Sequence, residues 1–159
     1  MTNSIETDAN FPGSILIVEL GENSYPIYIG SETISRFGEL FIRHCGNRKA
    51  VIISDNNVNP LYANPVKQSL AKSGIETHTI IVPAGEPTKR MEIVESIYDQ
   101  LFDYAIERSD AIIALGGGVV GDLAGFVAAT FKRGLRYVQV PTSLLAMVDS
   151  SVGGKTGIN

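Results

Sequence analysis

The chain has 159 residues, 44% of them hydrophobic, which supplies enough length and apolar material for one domain with a sizeable core and excludes a disordered chain. With 13 Lys and Arg against 17 Asp and Glu, the formal net charge is −4, which argues against a general nucleic-acid surface but leaves room for a local basic pocket facing one phosphorylated ligand. Cys45 is the only cysteine, so no internal disulfide can form and a reducing compartment fits best.

The first residues, Met1 to Asn10, are polar and mildly acidic, without the basic and apolar regions of a signal peptide. Residues 1–13 therefore read as a flexible leader. No apolar run is long enough to span a bilayer. The expectation is a cytoplasmic protein with no membrane and no nucleic-acid partner.

Ser14–Leu20 and Tyr25–Ile29 are short runs rich in Ile, Val and Tyr on either side of Gly21-Glu22-Asn23-Ser24, the pattern of a β-hairpin. Then the pattern changes. Ala50–Ser54, His78–Val82, Ala111–Leu115 and Tyr137–Val140 are near-continuous apolar runs, as expected of parallel strands buried on both faces. Helical periodicity separates them. Ile34, Phe37, Leu40 and Phe41 share one face. Asn59-Pro60 reads as a cap and first helical residue, followed by Leu61, Val66 and Leu70 and closed by Gly74. Ile93, Val94, Ile97, Leu101 and Ala105 repeat at three- and four-residue spacing. A further helix is expected from about Val119–Gly121 to Phe131, and a short one over Ser143–Val148. Strands alternating with helices predict an α/β fold over residues 14–159: a doubly wound, mostly parallel, Rossmann-like sheet with an N-terminal β-hairpin.

Ligands of such sheets bind beyond the carboxyl ends of the strands. Those positions hold Asp55-Asn56-Asn57, Ala84-Gly85-Glu86, Gly116-Gly117-Gly118 and Thr142-Ser143. Gly116, Gly118 and Gly121 match G-x-G-x-x-G between a strand and a helix, where glycines admit a phosphate to the backbone and the helix N-terminus supplies donors. The acid expected after the next strand for a ribose is absent, because that strand ends in Val140-Pro141; a tight turn is the alternative. Asp122 is either a helix-dipole acid or an acceptor for a ligand hydroxyl. Glu86 and Lys89 read as a helix-entry charge pair unless their strand-end position matters. Asp55 and Asn57 are turn formers by type and adenosine-side contacts by position. Asp149, behind an apolar helix, is a loop acid or has a specific partner. Gly154-Lys155-Thr156 resembles the end of a P-loop, but the first glycine of that motif would have to be residue 149, an aspartate. Lys155 is then a surface lysine or an anion contact, and Arg133 a solvated helix-end cation or more. His44, Cys45 and His78 show no metal-ligand spacing, so no metal site is expected within the chain.

Gly116–Asp122, Phe131-Lys132-Arg133-Gly134, the run from Gln139 through Asp149 to Thr156, Ser54–Val58 and Pro83–Lys89 together resemble the 3-dehydroquinate synthases of the sugar phosphate cyclase superfamily. The resemblance implies NAD-dependent and metal-dependent conversion of 3-deoxy-D-arabino-heptulosonate 7-phosphate to 3-dehydroquinate and phosphate in the shikimate pathway. It implies that Asp55, Asn57, Ala84, Gly85, Glu86 and Lys89 face NAD. It implies the same of Gly117, Gly118, Val119, Val120, Gly121, Asp122, Thr142 and Ser143. Asp149 and Lys155 lie where nicotinamide meets substrate, so that these two and Arg133 are the catalytic candidates. Arg133 is similar to an arginine that enters the neighbouring subunit's site, which implies a homodimer. The family's divalent metal, zinc or cobalt, is held by one glutamate and two histidines of a helical C-terminal domain that this sequence does not include. On this reading the chain is the front half of a two-domain enzyme, inactive by itself, with an apolar interdomain face near Leu144, Leu145 and Met147. Another sugar phosphate cyclase, a metal-dependent polyol dehydrogenase and a non-catalytic NAD-binding module are the alternatives.

Overall fold

A computed structural model of the protein describes residues 3–6, 11–153 and 156–159. The chain opens with a three-stranded antiparallel sheet of β1 (Asn3–Glu6), β2 (Ser14–Val18) and β3 (Tyr25–Ile29), in that order. The expected hairpin is β2–β3, paired from Ser14↔Ile29 to Val18↔Tyr25. Its loop is a short 3-10 turn, Gly21–Asn23, where Gly21 takes φ +64° and Ser24 Oγ donates to the Gly21 carbonyl at 2.7 Å. β1 corrects the expected leader: residues 3–6 pair antiparallel with β2. This strand is held by main-chain hydrogen bonds and leaves Ile5 exposed, so no apolar alternation marks it in the sequence.

The second sheet is parallel and four-stranded: β4 (Ala50–Asp55), β5 (Thr77–Val82), β6 (Ala111–Gly116) and β7 (Arg136–Pro141), in the order β5-β4-β6-β7. The central strands β4 and β6 are buried on both faces as their sequences predict; β5 and β7 are edges and only half-buried. Four helices cover the sheet: α1 (Phe37–Cys45), α2 (Asn59–Lys72), α3 (Met91–Asp103) and α4 (Gly118–Thr130). The two-residue period of the strands divides the core. Ile52, Ile113 and Leu115 pack with Phe41, Val66 and Leu70 of α1 and α2. Val51, Ile53 and Ile112 pack with Ile97, Leu101, Leu123 and Val127 of α3 and α4. Each fully buried aliphatic side chain contributes roughly 1.5–3 kcal/mol, so these two layers dominate the stability. Phe11, Ile15 and Leu40 make a third cluster that seats the antiparallel sheet on α1.

The start of α2 departs from expectation. Asn59 is not its cap. Asp55 Oδ1 accepts from the amides of Asn57 and Val58, both at 2.8 Å, while Asn59 is the first helical residue. An aspartate ending a strand can reach forward over a tight turn, which a residue already in the helix cannot. The end behaves as expected: Gly74, at φ +75°, closes α2 with Ile75 N donating to Leu70 O at 3.0 Å.

Candidate functional site

After β4 the chain crosses to one side to form β5, and later returns to the other side of β4 to form β6. The loops after β4 and β6 therefore part, leaving a crevice at the carboxyl edge of the sheet. Around it lie most of the strand-end residues singled out above.

The glycines are not equivalent. Gly116 ends β6, and a Cβ there would meet Val120 Cβ at 2.6 Å, so close helix–strand packing demands glycine. Gly117 caps α4 with φ −81°, and a Cβ would meet only Ser143 Oγ at 3.5 Å. At Gly118 a Cβ would meet only Ser150, at 3.5 Å from Oγ and 3.8 Å from Cβ. Neither backbone lies in the left-handed region. Packing and conformation thus leave Gly117 and Gly118 without a structural reason. The helical ladder of α4 closes at Gly121 N to Gly117 O, 3.0 Å. The amides before it have no carbonyl one turn back and point their donors and the helix dipole at the crevice.

Charge is arranged around this turn. Lys89 Nζ donates to Asp122 Oδ2 at 3.0 Å and pairs with Glu86 Oε1 at 2.7 Å. Its side chain is 15% exposed, so the ammonium spends most of its interaction on these two acids. Hydrogen bonding to Glu86, then to Asp122, raises the Lys89 pKa above its ordinary value. Glu86 and Lys89 do form the expected local pair, on the 3-10 turn Glu86–Thr88, but Lys89 also bridges to the glycine loop. That turn is set by Gly85 at φ +104° and by Thr88 Oγ1 donating to Pro83 O at 2.6 Å. Ala84 N donates to Asn56 Oδ1 at 3.0 Å, which ties the loops after β4 and β5 together.

Asp122, Asp149, Ser150 and Val152 line one cavity of about 250 Å³. The expected helix over Ser143–Val148 is instead helical from 144 and ends in a π-helical turn, Ala146–Ser150, with Ser143 Oγ accepting from Ala146 N at 3.3 Å. The π turn carries Asp149 inside the helix and onto the cavity wall beside Asp122. Leu144 and Leu145 just before this turn and Val148 on it are 65–75% exposed. Thr142 N donates to Gly116 O at 3.0 Å and extends β7 toward the loop. Asp55 stands at the crevice with its carboxylate engaged by the amides of the turn that leads into α2; Asn57 is exposed beside it.

Two site candidates are not brought to this place. Lys155, with Gly154, lies outside the described residues. Arg133 follows the far end of α4, about 20 Å of helix from the glycine turn. It is exposed, and Lys132 and Arg133 both take positive φ, at 46° and 67°, a strained pair of the kind that favours functional turns. The sequence placed Asn56 at a strand end without its contact and gave no role to Tyr137 or Ser150. Tyr137 Oη donates to Gly121 O at 2.7 Å beneath the site, and burial, then the Asp122 charge, pushes its pKa upward. An amide flanked by two other polar loop residues and a tyrosine inside an apolar strand carry no local signal of these contacts.

Chemically, the helix N-terminus suits an anion, and the two cavity carboxylates suit hydroxyl donors. Among the described residues no group of three His, Cys, Asp or Glu side chains could hold a metal ion, and no helix is long and apolar enough to cross a membrane.

Residues 79–159 match the family described as 3-dehydroquinate synthase N-terminal. The 3-dehydroquinate synthase of Caldanaerobacter subterraneus subsp. tengcongensis is 50% identical over 144 residues, 91% of this chain and 40% of that protein. That of Rhizobium rhizogenes is 51% identical over 142 residues, 89% of this chain and 38% of that protein. The chain spans about 40% of the length of the curated relatives it matches. Among solved structures, 2-deoxy-scyllo-inosose synthase complexed with carbaglucose-6-phosphate, NAD+ and Co2+ superposes with a TM-score of 0.84 at 24% identity, over 91% of this chain and 39% of that one, a likeness of fold alone. The 2-epi-5-epi-valiolone synthase of Streptomyces hygroscopicus subsp. jinggangensis, with NAD+ and Zn2+ bound, superposes at 0.66 with 33% identity, over 71% of this chain and 32% of that one.

Proposed function

The chain belongs to the 3-dehydroquinate synthase N-terminal family, and from that membership we propose that it is the NAD-binding domain of a 3-dehydroquinate synthase. The observation that carries the reading is the pair Gly117 and Gly118, glycines that the fold does not require, at the N-terminus of α4. A backbone stripped of side chains there fits a dinucleotide pyrophosphate. Gly117 to Val120 would cradle it; Thr142 and Ser143 flank it. Asp55, Asn57, Ala84 and Gly85 would border the adenosine side. Lys89 offsets the charge of Asp122, so that a phosphate can approach an acid-lined site, and Asp122 and Asp149 would accept hydrogen bonds from ligand hydroxyls.

When bound, NAD supplies a hydride acceptor and donor for one substrate hydroxyl, restored within each turnover. In the complete enzyme the substrate would be 3-deoxy-D-arabino-heptulosonate 7-phosphate, with Asp149 and Lys155 toward the reacting part. The divalent metal, zinc or cobalt, would be held by the portion of the relatives that this chain does not span, and the exposed Leu144, Leu145 and Val148 would pack against that portion. Arg133, too far away to serve its own site, would serve a partner subunit's, which makes the cytoplasmic enzyme a homodimer.

Calorimetric titration of the chain with NAD tests the cofactor reading. Saturation with Kd below ~1 mM supports it; no saturation by a folded chain refutes it. The reaction is tested on the complete enzyme: phosphate release without net NADH supports a cyclase, whereas accumulating NADH indicates a polyol dehydrogenase.

A further inference from the structure

Tyr137 sits on the edge strand β7 with its ring under the first two turns of α4. Its hydroxyl donates to the carbonyl of Gly121 at 2.7 Å, and the bond is partly buried. One turn on, a Cβ at Gly125 would clash with the Thr156 methyl and lie in ordinary contact, 3.4 Å, with the Tyr137 ring, so the ring packs directly under the helix while Thr156 is what demands the glycine. The Gly121 carbonyl already has a helical partner in the amide four residues on. The phenol bond is therefore a second one for this carbonyl, while it gives the partly buried hydroxyl its partner. It joins the peptide between Gly121 and Asp122 to β7, while Lys89 grips the Asp122 side chain from the loop after β5. The turn so held contains Gly117 and Gly118, the residues with the most backbone freedom to lose on binding.

We propose that Tyr137 is a positioning residue: its bond to Gly121 presets the first turn of α4 for the dinucleotide phosphates, an inference that rests on the NAD site proposed above. Ordering this turn before the ligand arrives lowers the entropy cost of binding. A tyrosine hydroxyl is protonated at neutral pH in any case, and burial, then the Asp122 charge, pushes its pKa further up.

The test is Tyr137→Phe in the full chain, which keeps the ring and removes only the hydroxyl. NAD affinity is read by calorimetry and folding by thermal melting. A second variant, Asp122→Asn, completes a double-mutant cycle. The expected result is a Kd about fivefold weaker with a Tm lower by no more than about 3 °C. The cycle should be non-additive in NAD affinity, because both changes act through one turn. Wild-type affinity in Tyr137→Phe, or additive losses, would overturn the positioning role while leaving the NAD site standing. No binding by the wild-type chain would sink the site and this inference together.

Discussion

Gly118→Ala separates a glycine kept for a ligand from one kept for the fold. An alanine methyl at 118 would sit 3.5 Å from Ser150 Oγ and 3.8 Å from Ser150 Cβ, ordinary van der Waals contact, on a backbone that any residue can adopt. Replacing glycine at such a position stabilises by about 0.4–1 kcal/mol through the unfolded chain. For a domain of this size the Tm should rise by roughly 1–4 °C. The same methyl projects toward Ser150, a wall of the cavity beside the α4 N-terminus. Pushing a phosphate off one charge-assisted amide contact costs about 1.5–3 kcal/mol, a loss of roughly 10–150-fold in NAD affinity. The control is Gly116→Ala, whose Cβ would meet Val120 Cβ at 2.6 Å and should cost about 1–3 kcal/mol of stability. Thermal melting and NAD calorimetry on both variants read the two effects. A Gly118→Ala chain that melts below wild type, or that binds NAD within twofold of it, would mean that Gly118 is not kept for the ligand.

Asp122→Ala should weaken NAD binding by about tenfold while Lys89 keeps Glu86 as its partner, so calorimetry changes more than melting does. Asp55→Ala removes the acceptor of two amides in the turn before α2 and should cost about 1 kcal/mol in denaturant unfolding, whereas Asp55→Asn retains an acceptor and should cost much less. Lys89→Met should lower stability by about 1 kcal/mol. Because the folded pKa of Lys89 is raised above 10.5, its stabilisation is fully present below that pH and is lost as pH rises through the folded value. The difference in Tm between wild type and Lys89→Met should therefore hold through neutral pH and shrink only in the alkaline range; a gap that closes near neutrality would contradict the ion-pair account.

The sequence alone determined the architecture wherever the signal is local. Fully apolar runs became β4 and β6 because a central parallel strand must bury both faces, and periodic segments became α1, α2 and α3 because one stripe must face the sheet. The strand-end positions also followed from the sequence, since a parallel sheet has one carboxyl edge. Tertiary structure decided what long-range contact alone can set. Strand order placed the crevice between the loops after β4 and β6. It brought Lys89 to Asp122, 33 residues away, and Tyr137 to Gly121. The π turn rotated Asp149 onto the cavity that Asp122 lines. The distinction between Gly116, demanded by Val120, and Gly117 and Gly118, demanded by no neighbour, exists only in three dimensions, because a glycine's letter does not record what its missing side chain would have touched.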